Sequence, residues 1–120
     1  MKILIADDSR VMRQIVVRTL RQAGFGDHEL IEAANGREAF DMVNSESPDL
    51  VLSDWNMPEM NGIECLRQLR AAGNDVKFGF VTSESTPEMK DQADAAGALF
   101  FIVKPFSAER FDEVFAPILG

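Results

Sequence analysis

The sequence predicts an α/β domain, a doubly wound five-stranded parallel sheet with a helix after each strand. Three observations predict it. Short apolar runs alternate with amphipathic stretches five times along the chain. The runs lack the polar alternation of a sheet with one wet face, so both faces of the strands should be covered. The chain has 120 residues, 46% of them hydrophobic, which is enough for one core and too few for two. Residues 1–120 are therefore expected to form a single domain.

The first strand covers residues 3–6 and runs directly into Asp7 and Asp8. Val11, Met12, Ile15, Val16, Thr19 and Leu20 then follow at i, i+4 spacing, with Arg10, Arg13, Arg18 and Arg21 mostly at other positions. That pattern predicts an amphipathic first helix, with Gly24 as its stop. A weaker apolar run at 30–33 gives the second strand, and residues 37–45 the second helix. The third strand, 50–53, leads into Asp54, and the third helix runs from Ile63 through Leu66 and Leu69 to a stop near Gly73.

The fourth strand covers 78–81 and meets Thr82. The helix after it should start with Thr86 as N-cap and Pro87 in its first turn, with an apolar face of only Met89, Ala93 and Ala96. Such a face anchors weakly. The fifth strand covers 99–103 and meets Lys104. In the last helix Ser107 caps a face of Phe111, Val114, Phe115 and Ile118, and Pro117 is expected to distort the helix or end it near Ala116.

Charge and composition narrow the function. Twelve Lys and Arg against 20 Asp and Glu leave a net charge of −8, which repels nucleic acid and anionic lipid alike. The single Cys65 allows no internal disulfide, and His28 is the sole histidine, so no Cys/His zinc site can form. The N-terminal apolar stretch is too short for a signal peptide or a membrane span. A cytoplasmic protein without nucleic-acid or membrane partners is expected.

In an open α/β sheet the chemistry sits at the carboxyl ends of the strands. Asp7, Asp8, Asp54, Thr82 and Lys104 all fall there. An aspartate after a strand is often a turn residue or helix cap, but five polar residues at one edge ask for more. Three carboxylates brought close repel unless a hard cation neutralises them, and oxygen ligands select magnesium or manganese. A carboxylate beside such an ion can attack phosphorus, and a lysine and a hydroxyl can meet the phosphoryl oxygens.

Four segments carry a family resemblance: Asp7-Asp8; Ser53 to Gly62, reading Ser-Asp-Trp-Asn-Met-Pro-Glu-Met-Asn-Gly; Val81-Thr82-Ser83; and Val103-Lys104-Pro105-Phe106. In order and spacing the chain resembles the receiver domains of two-component response regulators, the chemotaxis members in particular, over essentially its whole length. The resemblance implies a flavodoxin-like sheet of order 2-1-3-4-5. It implies that Asp54 is the phosphorylation site, with Lys104 and Thr82 assisting. The metal would be held by the carboxylates of Asp8 and Asp54 and the backbone carbonyl of Asn56, with Asp7 reaching it through water. The Lys104–Pro105 bond should be cis.

Thr82 and an aromatic on the fifth strand form the switch in such receivers. Here that aromatic is Phe101, where the chemotaxis members have a tyrosine, so it offers no hydroxyl; it also reads as plain core packing. Ser9 stands where the chemotaxis members have an aromatic, and Asn61 where an Asp is usual. Asn56 and Glu84 stand where such receivers vary the residues that screen the phosphorylated site from water, so the resemblance implies that they tune its lifetime; they also read as ordinary surface loop residues. Gly62 suits a close backbone approach, and Trp55 reads either as a reporter of the site or as a partly exposed apolar residue. The arginines of the first helix read as a solvated face or as a docking site for a phosphodonor.

The resemblance implies a monomeric signalling receiver, not an enzyme on other substrates. It would be phosphorylated by a histidine kinase or a histidine phosphotransfer protein and would signal to a protein target. Two other readings stand beside it: the receiver part of a longer regulator or hybrid kinase, and a magnesium-dependent aspartyl-phosphate phosphohydrolase. The second lacks an acid/base aspartate two residues beyond Asp54, where Asn56 stands, and lacks a cap domain.

Overall fold

The computed structural model describes residues 1–119. Strands and helices alternate throughout: β1 (Lys2–Ala6), α1 (Arg10–Gln22), β2 (Glu29–Ala33), α2 (Gly36–Glu46), β3 (Leu50–Ser53), α3 (Gly62–Ala71), β4 (Lys77–Thr82), α4 (Pro87–Ala95), β5 (Phe101–Val103) and α5 (Ala108–Leu119). The sheet is parallel, in the order β2-β1-β3-β4-β5.

Strand side chains alternate between two cores. Ile3, Ile5, Leu50, Leu52, Val81 and Ile102 face α1 and α5, where Val16, Leu20, Phe111 and Phe115 meet them. Leu4, Ala6, Val51, Phe78 and Phe80 face α2, α3 and α4, against Val43, Ile63, Leu66, Leu69 and Ala93. Covering both faces is what the unbroken apolar runs require, since each strand residue then has an apolar partner.

Side-chain caps set the helix starts. The side chains of Ser9, Asn35, Asn61 and Thr86 accept from the backbone N–H three residues on, and Ser107 Oγ accepts from Arg110 N–H at 3.2 Å. At the end of α1, Gly24 adopts φ +95°. Its N–H bonds to Arg21 and that of Phe25 to Leu20, a closure that only a residue without Cβ takes cheaply. The same closure ends α3 at Gly73 and α4 at Gly97.

Four expectations need correction. Val11 is 64% and Ile15 37% exposed, so only part of the predicted face of α1 is in the core; both lie about 100° or more around the helix from Val16. Arg13 is turned inward rather than solvated, its side chain 14% exposed. The fifth strand begins at Phe101, not at residue 99, and Leu99 is 52% exposed, although its N–H still bonds to Phe78 O. Helix α5 continues through Pro117 to Leu119: so near the end, proline removes one hydrogen bond while its fixed φ remains helical.

α5 is seated by packed aromatic rings, one pair stacked and two edge-to-face. Phe111 lies 4.6 Å from Phe106 and 5.0 Å from Phe115, and Phe115 lies 5.1 Å from Phe100. Phe111 and Phe115 are fully buried. Phe115→Ala should therefore destabilise the fold by about 3–5 kcal/mol, read as a lower denaturant midpoint at unchanged slope.

Candidate functional site

Neighbouring parallel strands end level with one another, and the site follows from that. Asp7 leaves β1 and Asp54 leaves β3, and the Asp54 N–H donates to the Ala6 carbonyl at 2.8 Å. Carboxylate oxygens of Asp7, Asp8 and Asp54 lie within 4.8 Å of one another. Asp7 is buried and Asp8 exposed. Thr82 closes β4 with no exposure, and the Lys104 N–H donates to its carbonyl at 2.8 Å. The structure thus brings together Asp7, Asp8, Asp54, Thr82 and Lys104.

The cation of the site is the Lys104 ammonium, whose side chain is 13% exposed. It lies 3.0 Å from Asp7 Oδ2 and 3.7 Å from Asp54 Oδ2. It is held on Asp7 rather than free to roam. Asp7 Oδ1 accepts from the Ser9 N–H at 2.9 Å, so both its oxygens have partners. Asp54 Oδ1 accepts from the Trp55 N–H at 2.7 Å.

Burial pushes the Asp54 carboxyl above its ordinary value of 3.8, and the Asp7 charge adds to the rise. Lys104, the Thr82 hydroxyl and the Trp55 N–H oppose it. All three donors in the acidic cluster are hard oxygens, with one carboxylate open to solvent. This set fits magnesium or manganese, which keep several waters and need few protein ligands.

The loop after β3 is tightly folded back. The Gly62 N–H donates to Trp55 O at 2.8 Å, and a Cβ on Gly62 would run into the Asp54 carbonyl oxygen. The close approach is real, and an alanine there would press on the Asp54 backbone. Asn61 is structural, capping α3 through the Glu64 N–H. The Lys104–Pro105 bond is cis.

Trp55 is not partly exposed, as one reading had it, but 8% exposed. Its ring lies 4.9 Å from Phe80 and 6.2 Å from Phe101. Phe101 is half-buried, and the Lys90 ammonium lies 6.0 Å from its ring centre. Across the mouth of the site, Asn56 Nδ2 donates to Glu84 Oε1 at 2.6 Å. The Glu84 N–H bonds weakly to Thr82 Oγ1 at 3.4 Å. Arg13 was missed as part of this neighbourhood. Its Nη1 donates to the Asp7 carbonyl at 2.6 Å. The signal was its spacing, since residues 13, 16 and 20 share one helix face.

Comparison with known proteins agrees with this geometry. The response regulator receiver domain model matches residues 3–116, and the chain belongs to that family. A chemotaxis protein CheY homolog of Campylobacter jejuni is 38% identical over 123 residues, covering 100% of this chain and 93% of its own. CheY-3 of Vibrio cholerae is 40% identical, covering 96% and 92%. Among solved structures, Vibrio cholerae CheY4 superposes with a TM-score of 0.84 at 36% identity, covering 98% of each chain. Receivers of this type are signalling proteins that accept a phosphoryl group and bind Mg2+ at an acidic pocket. Among the described residues, no helix is long and apolar enough to cross a membrane.

The raised Asp54 pKa has a sign that can be checked. In the unfolded chain Asp54 loses its proton near 3.8; in the fold it keeps it to higher pH. Stability tied to the protonated form is thus complete below 3.8 and lost as pH rises through the folded value. Asp54→Asn should raise the metal-free melting temperature at pH 7, and the gain should shrink to nothing on acidification to about pH 3.

Proposed function

We propose that the chain accepts a phosphoryl group on Asp54 from a histidine kinase or phosphotransfer protein, with a divalent metal in the acidic pocket, and signals through a surface of α4, β5 and α5. The observation that carries this reading is the Lys104 ammonium, 3.0 and 3.7 Å from Asp7 and Asp54, at the edge of a cluster of three carboxylates. A nucleophilic carboxylate, a point cation and hard oxygen ligands are the parts that phosphoryl transfer needs. An Asp54 oxygen forms the new O–P bond while the donor's P–N bond breaks, and the leaving imidazole keeps the electron pair. Bound magnesium, or manganese, supplies positive charge against the phosphoryl oxygens.

The carboxylates of Asp8 and Asp54 and the Asn56 carbonyl hold that metal, with Asp7 reaching it through water. Lys104 shifts from Asp7 onto the new phosphoryl group, and the Thr82 hydroxyl bonds to it. The Asn56–Glu84 bond lies across the mouth of the site, and the two residues set how fast water reaches the acyl phosphate. The donor approaches over α1, where Val11 and Ile15 are exposed beside Arg10. An apolar groove lined by Met12, Ile15, Pro105 and Phe106 leads from there to Lys104.

The output surface follows from the weak seat of α4, whose one buried residue among those described is Ala93. Thr82 and Lys104 sit at the strand ends that flank it, and Phe101 rests between Trp55 and Lys90. New bonds at Thr82 and Lys104 need favour one position of α4 only slightly to move it. The partners are proteins; a net charge of −8 opposes nucleic acid. The domain spans residues 1–120, acts as a monomer in the cytoplasm, and catalyses only its own labelling and hydrolysis.

Incubation with a small phosphodonor and magnesium should add one phosphoryl group by intact mass, and Asp54→Asn should take none. Full labelling of that variant, or sustained hydrolysis of organic phosphate monoesters by the wild type, would overturn the assignment. Thr82→Ala should still be labelled but should transmit poorly. With beryllofluoride, amide NMR shifts across residues 86–103 should appear in the wild type and largely vanish in Thr82→Ala. Shifts confined to the Asp54 loop in the wild type would exclude this switch.

A further inference from the structure

Of the four arginines on α1, Arg10, Arg18 and Arg21 are exposed, and Arg13 alone is turned inward. Its Nε donates to Glu32 Oε1 on β2 at 2.9 Å, and its Nη1 donates to the Asp7 carbonyl oxygen at 2.6 Å. That carbonyl belongs to the peptide joining Asp7 to Asp8. The rest of the Asp7 backbone is also tied down, its N–H to Ala33 O at 3.1 Å. Asp8 is different. Its side chain is exposed and, among the described residues, makes no hydrogen bond of its own. What aims the Asp8 carboxylate at the other two is the peptide behind it.

We infer that Arg13 is a positioning residue for the metal pocket: by clamping the Asp7–Asp8 peptide against α1, it directs the Asp8 carboxylate toward those of Asp7 and Asp54. It touches neither metal nor phosphoryl group and acts through the backbone. The fork geometry of the guanidinium suits it, since Arg13 must reach a carbonyl and a carboxylate at once, and the single ammonium of a lysine cannot span both. Glu32 holds the other end of the fork, so the clamp runs from α1 across the end of β1 to β2. This inference rests on the proposed metal site and deepens it.

Charge and position give opposite signs, which makes the role testable. If Arg13 acted only as a nearby positive charge, removing it would leave the pocket more negative and bind a cation more tightly. If it positions Asp8, removing it weakens binding, as loss of an outer-shell partner commonly does by about 10–100-fold.

Magnesium affinity, read from Trp55 fluorescence, should fall about tenfold in Arg13→Gln and measurably in Arg13→Lys. The charge control Arg10→Gln should not weaken it. In an Asp8→Ala background, Arg13→Gln should add no further loss, because the clamp works through Asp8. Wild-type or tighter affinity in Arg13→Gln would overturn the inference, as would a loss that simply adds to that of Asp8→Ala. If Arg13→Gln fails to fold by amide NMR, Arg13→Lys decides: unchanged affinity overturns the inference. A wild-type protein blind to magnesium by fluorescence and by calorimetry would remove the metal reading itself, a different failure from a wild type that binds while Arg13→Gln binds equally well.

Discussion

The adjacency of β1 and β3 in a parallel sheet sets the terms for the rest of this molecule. Strands that run the same way end at the same edge, so the residue after each is delivered to its neighbour. The Asp54 N–H, bonded to Ala6 O at 2.8 Å, continues the ladder past the last strand residue and brings Asp54 beside Asp7. Two like charges about 4 Å apart repel by about 4 kcal/mol at an effective dielectric of 20. A surface loop would relieve such strain by moving apart, but these strands cannot: Ile3, Leu4, Leu50 and Val51 are fully buried on two opposite faces. The repulsion is therefore retained, and it adds to the rise that burial imposes on the Asp54 pKa. Stability lost at the edge is a property of the site, because the same repulsion makes the pocket receptive to a cation.

The proposed path from that edge to the surface rests on an uneven distribution of packing. On one side of the sheet α5 is fixed by Phe111 and Phe115, both fully buried. On the other, α4 offers Ala93 to the core with Met89 and Ala96 partly covered. A helix attached so lightly has low local stability, and such elements are the ones that move. The site meets it at two places, because Lys104 N–H bonds to Thr82 O and so ties the end of β5 to that of β4. A second link is aromatic: Trp55, next to Asp54, packs on Phe80 and Phe101, with centroids 4.9 and 6.2 Å away. A phenyl ring at 101 keeps this packing while offering no hydroxyl, so any partner that meets it must do so by apolar contact.

Most of the architecture was legible because strand and helix periods are strong local signals. The runs at Leu50 to Ser53 and Phe78 to Val81, and the caps at Ser107 and Thr86 with Pro87, correspond to what formed. The five polar residues at the strand ends were legible for the same reason, since topology alone brings Asp7, Asp8, Asp54, Thr82 and Lys104 to one edge. What was not legible depends on what lies opposite each helix face. Val11 and Ile15 make an i, i+4 pair as Val16 and Leu20 do, yet they lie about 100° or more around α1 from Val16 and are left in solvent. Periodicity gives a direction around the helix but not what lies opposite it. Arg13 fails in the reverse sense: its spacing puts it with Val16 and Leu20, and its charge argues it outward. A carbonyl and a carboxylate within reach are what make burial of the guanidinium tolerable, and neither can be foreseen from α1 alone.

Charge balance explains why the interior cation is a lysine. Three carboxylates and Lys104 leave the cluster two charges negative, with the Arg13 cation behind Asp7 reducing the local field but facing away from the mouth. The ammonium sits closer to Asp7, at 3.0 Å, than to Asp54, at 3.7 Å, so it engages Asp54 Oδ2 less tightly. A guanidinium in its place would bind both carboxylates in a fixed fork and neutralise the carboxylate proposed as nucleophile. The lysine, a compact charge on a flexible stem, suits the proposed function, in which it serves Asp7 first and a phosphoryl group afterwards. Arginine is used where a fixed fork is wanted, at residue 13, and lysine where the charge has to change partners.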